Sequence, residues 1–314
     1  MLSLQREQDH LGWGSMKEEK RSYLKEFRYV SSFMIFIAIF GIAFTFLSLG
    51  LAFGIEFLID SENPASILGE IVLYCGTAYT YYVGYRIFLK KWNQKINTKL
   101  DMKKLNIVKL ILNIIVSILI VRFIWIVWQH IVTLLNYSPE DTEESISIIF
   151  YIYGIIIAPI LEEIIFRGYI LKILKKYGTY TAIILSSIMF GLFHGTFTQA
   201  IPCIFIGIVF STLATKYKSI LPSIIVHIIT NFMSFITISN EMLLTAIKVI
   251  IIVLSVVVII YLIIINFKKI KEILKEIRLS FLLQFKSLSY ILFTLYELSM
   301  IVIEVLSGIS HIIN

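Results

Sequence analysis

Long apolar stretches constrain this chain more than any other feature of its sequence. About eight of them approach the roughly 20 residues that a helix needs to cross a hydrocarbon core of about 30 Å. They lie at about 30–57, 67–89, 105–135, 146–171, 179–197, 200–215, 219–238 and 243–267. Only 16% of the residues are charged, and the mean hydropathy is +0.86, which excludes an ordinary soluble protein. The sequence therefore predicts an all-α, polytopic membrane bundle of about eight transmembrane helices.

The net charge of +7 is concentrated in short linkers between the apolar stretches. The basic linkers are residues 86–104, 172–176, 216–218 and 268–278. They all fall on one side of the bundle if every stretch crosses, whereas linkers 60–66 and 136–145 are acidic or neutral. Because Lys and Arg accumulate in cytoplasmic loops, we expect a multi-pass protein of the cell membrane with a cytoplasmic N terminus. This placement of the charge also argues against nucleic acid as a partner.

Ionisable side chains inside the apolar stretches are the main candidates for function. Each costs roughly 2.5–3.5 kcal/mol at the centre of a membrane helix, so it requires a partner, a wet cavity or a chemical role. One dense group lies on three of the stretches and comprises Glu162, Glu163, Arg167, His194, His227 and Asn231. Isolated residues of this kind are Glu70, Arg122, His130 and Lys248. We expect Glu70 to pair with an arginine, Arg122 and His130 to lie near the site, and Lys248 to extend to the outer surface.

The spacing within the dense group separates its two glutamates. Glu163 and Arg167 are four residues apart, so they can pair along one helix face. Glu162 points about 100° away and is left free to face a cavity. His227 and Asn231 share a face in the same way. A carboxylate, imidazoles and amide donors are what amide hydrolysis needs, although the residues alone also fit a buried polar network without chemistry.

Three motifs follow one another along this part of the chain: EEIIFR at 162–167, FGLFH at 190–194 and HIITN at 227–231. In the pattern EExxxR, FxxxH and HxxxN they resemble the CAAX protease and bacteriocin-processing family of intramembrane proteases, also known as CPBP, type II CAAX endopeptidase or Abi. The resemblance covers about 146–235. It implies a hydrolase that cleaves a peptide bond in lipidated or hydrophobic peptides, and in bacteria a role in peptide maturation or bacteriocin self-immunity.

The resemblance also implies roles for the first motif. Glu162 is expected to be the general base for the attacking water, with Glu163 beside it and Arg167 fixing the carboxylate pair. Phe190, in the second motif, is expected to pack beside His194 rather than to take part in the chemistry.

The histidines leave two mechanisms open. In one, zinc or another divalent metal is held by His194, His227 and Glu162, as three protein ligands hold catalytic zinc. In the other, no metal is present, His194 orients the water, and His227 and Asn231 donate to the oxyanion. The HExxH pair of most zinc proteases is absent from the sequence. A glutamate-dependent metalloprotease is the interpretation we favour at this point.

The sequence is divided into three segments on composition and charge. Residues 1–28 are expected to form a basic cytoplasmic tail, and residues 29–267 a membrane domain with its catalytic core at about 146–238. Residues 268–314 form an amphipathic segment that lies in the membrane interface, the favoured alternative, or crosses a ninth time at about 281–303.

A geometric difficulty accompanies the proposed site. Counted at 1.5 Å per residue from the nearest basic linker, Glu162 lies about 15 Å deep but His194 about 27 Å. The fifth stretch must therefore tilt, begin inside the bilayer or end in a re-entrant turn, with irregular backbone expected over GTFTQAIPC at 195–203.

Two other classes of function remain as alternatives: an ion- or proton-coupled transporter, and a catalytically silent membrane scaffold or immunity protein.

Overall fold

The computed structural model describes residues 2–59, 62–90, 96–101, 105–135, 137, 147–236, 241–281 and 286–313. About 90% of the described residues are helical, and none of them forms a strand, which confirms the all-α, polytopic membrane bundle. The helices are α1 (Leu2–Ile59), α2 (Glu62–Gly84, followed by a π-helical turn at Tyr85–Leu89), α3 (Ile107–Leu134), α4 (Ile148–Lys175), α5 (Thr179–Leu192), α6 (Phe197–Tyr217), α7 (Leu221–Phe235), α8 (Glu241–Phe281) and α9 (Leu288–Ile313).

Six helical segments in the described part of the chain are long and apolar enough to cross a membrane, fewer than the eight expected. They are Arg21–Leu51, Ile107–Leu134, Ile148–Lys175, Phe197–Tyr217, Glu241–Ile265 and Leu288–Leu306. Helices α5 and α7 are apolar but have only 14 and 15 residues, which span about 21 and 22 Å and cannot cross a 30 Å core alone. The predicted stretch at 67–89 is not among the six, whereas the C-terminal helix is.

The predicted boundary at residue 28 has no counterpart in the backbone. Helix α1 runs through it without a break, and Tyr23, Phe27 and Val30 are buried in the bundle core. Glu26 accepts hydrogen bonds from the Lys176 ammonium and from the Tyr177 hydroxyl. Residues 21–28 of the basic segment therefore join the core before the apolar stretch begins. The boundary at residue 267 likewise lies inside the continuous helix α8.

Helices α5 and α6 form a hairpin that resolves the difficulty over the depth of His194. The chain leaves the helix after Leu192 and re-enters it at Phe197, and Gly195 adopts the left-handed backbone conformation (φ 63°) that this reversal requires. The turn places His194 within the bundle, as a re-entrant turn was expected to do. The irregular backbone is shorter than predicted, because α6 is already helical over Pro202 and most of the GTFTQAIPC phrase.

Two glycines let the helices of this hairpin approach closely. A Cβ atom at Gly191 would lie 2.5 Å from the Ala200 carbonyl oxygen and 2.7 Å from the Ile204 nitrogen. A Cβ atom at Gly207 would lie 2.9 Å from the Cβ of Ser187. Small residues at such contacts are typical of membrane helix pairs, whose packing depends on close backbone approach.

We predict that Gly191→Ala destabilises the protein by about 1–3 kcal/mol, because the added methyl group would overlap backbone atoms of α6 that cannot rotate away. Thermal unfolding of the detergent-purified protein, followed by circular dichroism, measures this effect. Gly41→Ala is the matched control, since a Cβ atom there meets nothing within 4 Å. Equal melting temperatures for the two variants would contradict the close approach of α5 and α6.

Candidate active site

Both glutamates of the first motif lie on an irregular stretch of α4. Their short α-helical segment, Ala158–Glu163, stands between π-helical segments at Tyr153–Ile157 and Ile164–Ile170. Pro159 has no N–H to donate and its ring crowds the carbonyl four residues earlier, so a widened turn before it relieves the conflict. Single π-helical turns inside α-helices are frequent at functional sites.

Glu163 and Arg167 form a buried ion pair, as their spacing predicts. Both side chains have 0% exposure, and Nη1 of Arg167 lies 2.9 Å from Oε1 of Glu163. Nη2 donates to the Gly207 carbonyl of α6 at 3.3 Å. The guanidinium lies over the rings of Phe190 and Phe210, with its carbon 4.2 and 5.2 Å from their centroids. The arginine is therefore matched by a carboxylate, a carbonyl and two aromatic faces.

His227 connects this pair to the second glutamate. Its Nδ1 lies 3.1 Å from Oε1 of Glu163, and because a carboxylate only accepts, Nδ1 is the donor. Its Nε2 lies 3.8 Å from Oε2 of Glu162. The ring also lies 4.7 Å from that of Phe210, centroid to centroid. Glu163 thus fixes which nitrogen of His227 faces Glu162.

A cavity of about 970 Å³ opens beside these residues. Glu162, His194, His227 and Asn231 line it, and the Glu162 side chain keeps 15% of its surface exposed. Glu163, with no exposed surface, lies behind the cavity wall. The structure therefore contains the predicted arrangement, in which one glutamate is held by the arginine and the other faces a cavity.

Backbone carbonyls orient the two remaining motif residues. Nδ1 of His194 donates to the Phe190 carbonyl at 2.8 Å, which leaves Nε2 as its unprotonated nitrogen in the neutral ring. The amide nitrogen of Asn231 donates to the Gly154 carbonyl at 2.8 Å, so one N–H and the amide oxygen remain for the cavity. Phe190 packs against the His194 ring at 4.9 Å between centroids and against Arg167, in agreement with its expected packing role.

The donor atoms do not form the metal site considered from the sequence. Within the described ranges, no group of three or more His, Cys, Asp and Glu side chains is placed to hold a metal ion. Nε2 of His227 lies 3.8 Å from Oε2 of Glu162, and the bond from Nδ1 of His194 to a carbonyl leaves Nε2 of that ring free. Among the described residues, no three-ligand set of the kind that holds catalytic zinc is therefore preassembled.

Three of the isolated polar residues line the same cavity: Arg122, His130 and Lys248. The expectation for Arg122 and His130 is thus met, whereas Lys248 lies on the cavity rather than only at an outer surface. Glu70 accepts a hydrogen bond from the Ser147 hydroxyl, and no ion pair with an arginine is found for it among the described residues.

Sequence reasoning missed the contribution of the C-terminal helix. A carboxylate oxygen of Glu304 accepts a hydrogen bond from the Phe197 N–H at the start of α6. Glu297 is only 3% exposed and lies against the turn, where a Cβ atom at Gly195 would be 3.3 Å from its Oε2. Helix α9 therefore packs against the turn that carries His194. The sequence offered one signal for this contact, because Glu297 interrupts an apolar stretch. The residue that it contacts, Gly195, is about 100 residues away along the chain.

The fold and the site define a polytopic helical membrane protein with a cavity that carries ionisable side chains among apolar helices. Residues 144–233 match the family model Rce1-like, described as type II CAAX prenyl endopeptidase Rce1-like. The matched segment contains all three motifs and confirms the resemblance recognised in the sequence. It supports an intramembrane endopeptidase acting on peptides in a membrane. No curated protein and no solved structure matches the chain.

We predict strong coupling between Glu163 and Arg167. Glu163→Gln and Arg167→Met should each lower the free energy of unfolding by about 3–5 kcal/mol, because each leaves an unmatched charge in the bundle. The double variant should lose less than the sum of the two, since no lone charge remains. Reversible unfolding in mixed detergent micelles measures all three. Glu162→Gln, the same change one residue away, should have little effect, and strictly additive losses would contradict the pairing.

Proposed function

We propose that this protein is a glutamate-dependent intramembrane endopeptidase that hydrolyses peptide bonds in lipidated or hydrophobic peptides. One observation carries the proposal: Glu162, His194, His227 and Asn231 line a single cavity, while a fully buried Glu163–Arg167 pair holds its wall. A cavity-facing carboxylate beside an imidazole is the arrangement that general-base hydrolysis requires.

The first step is the attack of water on the peptide carbonyl. Glu162 accepts one proton of a water molecule in the cavity, and Nε2 of His194 accepts a hydrogen bond from the other. The His194 ring is suited to this because its Nδ1 donates to the Phe190 carbonyl. The oxygen of the water bonds to the carbonyl carbon, and the carbonyl oxygen becomes an oxyanion. Holding water and base in place in this way removes much of the entropic barrier.

The second step is the breakdown of the tetrahedral intermediate. The remaining N–H of Asn231 donates to the oxyanion, a role in which one well-placed donor is worth about 100- to 1,000-fold in rate. Glu162 then gives its proton to the leaving nitrogen as the C–N bond breaks, which releases an amine and a carboxylic acid that keeps the second proton of the water. His227, bonded to Glu163 through Nδ1, holds its Nε2 3.8 Å from Oε2 of Glu162, where it faces the carboxyl that carries the proton.

None of these steps passes through a metal ion. We infer a metal-free reaction from the side chains that could bind a metal. Glu162 and His227 supply two such groups, and no third His, Cys, Asp or Glu among the described residues completes a metal site. Water activation by a carboxylate and oxyanion binding by an amide account for the same residues.

The setting of the reaction follows from the linkers and the resemblance. We propose a cytoplasmic N terminus in the cell membrane, because two basic linkers meet at one end of the bundle through the hydrogen bond from Asn97 to the Lys218 carbonyl, and Lys and Arg accumulate on the cytoplasmic side. The isoleucine-, lysine- and asparagine-rich composition favours a bacterial source. Maturation of a hydrophobic peptide, or self-immunity against a bacteriocin, is the corresponding proposed role.

We predict that Glu162→Gln lowers kcat/KM at least about 100-fold for cleavage of quenched fluorescent hydrophobic and prenylated peptides, because the amide cannot accept the proton. The measurement uses detergent-purified protein with an unchanged melting temperature. Glu70→Gln is the matched control, an embedded glutamate that does not line the cavity. Retention of more than one tenth of the activity by Glu162→Gln would exclude Glu162 as the general base.

We predict that cleavage is insensitive to metal chelators. EDTA and 1,10-phenanthroline should leave the rate within about twofold of the untreated enzyme, because the described donors form no three-ligand site. Metal content by mass spectrometry provides an independent readout. A loss of activity that added zinc restores would instead establish the metalloprotease.

A further inference from the structure

The cavity also carries basic side chains that the proposed hydrolysis does not use. Arg122 of α3 and Lys248 of α8 line it, and Glu162 is the only carboxylate among the described lining residues. Arg122 lies about 22 Å along α3 from Ile107, which is near the middle of that helix. It stands outside residues 144–233, so the matched family segment does not account for it.

Arg122 has no counter-ion in the described part of the chain. Its Nη1 donates to the Ser234 hydroxyl at 3.1 Å, while its Nε is buried and has no hydrogen-bond partner. The ion pairs of the described residues involve other side chains. A cation at this depth of a membrane is costly unless an anion or water matches it, and such residues usually line the path of a substrate or ion. The unpaired guanidinium therefore points to an anion that enters the cavity.

Helix α7 aligns this arginine with the hydrolytic groups. His227, Asn231 and Ser234 stand at positions i, i+4 and i+7, so they share one face of the helix, and all three line the cavity. The rise from His227 to Ser234 is about 10 Å. An extended peptide covers that distance with about three residues at 3.3–3.6 Å each. A substrate lying along this face would meet Glu162 at one point and Arg122 about three residues away.

We propose that Arg122, oriented by Ser234, is a specificity-determining residue that binds a carboxylate of the peptide substrate. The guanidinium is a planar fork that matches a carboxylate in a two-point hydrogen bond. Glu162, which lines the same cavity, repels that carboxylate, so the two charges set the direction in which the peptide lies. The carboxylate belongs to a chain terminus or to an acidic side chain. The assignment rests on the proposed peptidase function and names the substrate class of that site.

The test measures binding separately from cleavage. A fluorescein-labelled hydrophobic decapeptide is prepared with a free C-terminal carboxylate, with a carboxamide, and with a carboxamide plus one internal glutamate. Binding is followed by fluorescence anisotropy in detergent with the Glu162→Gln protein, which holds the peptide without cutting it. We expect at least one carboxylate peptide to bind about 10- to 100-fold more tightly than the plain carboxamide, the range for a hydrogen bond to a charged group. The position of the preferred carboxylate identifies its source.

Adding Arg122→Gln should abolish this preference and leave the affinity for the carboxamide within about threefold. A purely structural role would weaken the binding of all three peptides together. Arg86→Gln, the same change at an arginine that does not line the cavity, should keep the preference. In the cleaving protein, Arg122→Gln should raise KM for the carboxylate peptide and change kcat little, as expected for uniform binding.

Two outcomes overturn the assignment: absence of any carboxylate preference, or loss of the preference in Lys248→Gln but not in Arg122→Gln. Failure of the peptidase function has a different signature. If no peptide is cut by protein with Glu162 intact, yet the preference is present and depends on Arg122, the anion subsite stands and the proposed hydrolysis fails.

Discussion

The buried Arg167 guanidinium is the constraint on which the rest of the site depends. A cation without water is tolerable only when its charge is matched, and the groups that match it come from different helices. Glu163 belongs to α4, Phe190 to α5, and Gly207 with Phe210 to α6. Glu163 in turn holds His227 of α7. One matched charge thereby ties four helices together. Glu162, the residue before Glu163, remains free to face the cavity.

The turn between α5 and α6 poses a second problem that the surrounding protein must solve. Irregular backbone at membrane depth is tolerated only when protein or a wet cavity surrounds it, because lipid cannot satisfy its polar groups. Here α9 supplies the cover: Glu304 takes the Phe197 N–H, and Glu297 lies against Gly195. The position of His194 thus depends on a helix outside the matched segment. The segment that carries the three motifs therefore does not form the site without contacts from α9.

What was predictable from the sequence is what a single helix determines. The four-residue spacing of Glu163 and Arg167, and the 100° rotation of Glu162, follow from helix geometry, and the structure contains both features. The lengths of α5 and α7 were not predictable in this way. Apolar residues continue beyond their ends, and the reversal at Gly195 depends on a backbone conformation that hydropathy does not register. The burial of Tyr23 and the contacts of Glu304 join segments far apart in the chain, which local patterns cannot reveal.

The polar side chains on the cavity wall also explain how water reaches the reaction. A cavity lined only by leucine, isoleucine and phenylalanine stays dry even when it is large. This one carries Glu162, His194 and Asn231 on its wall, and each retains hydrogen-bonding capacity that no described residue of the protein satisfies. Groups of this kind hold water in a space of this size. Polar residues that are costly inside a membrane bundle therefore also bring the second substrate of hydrolysis, water, into the membrane.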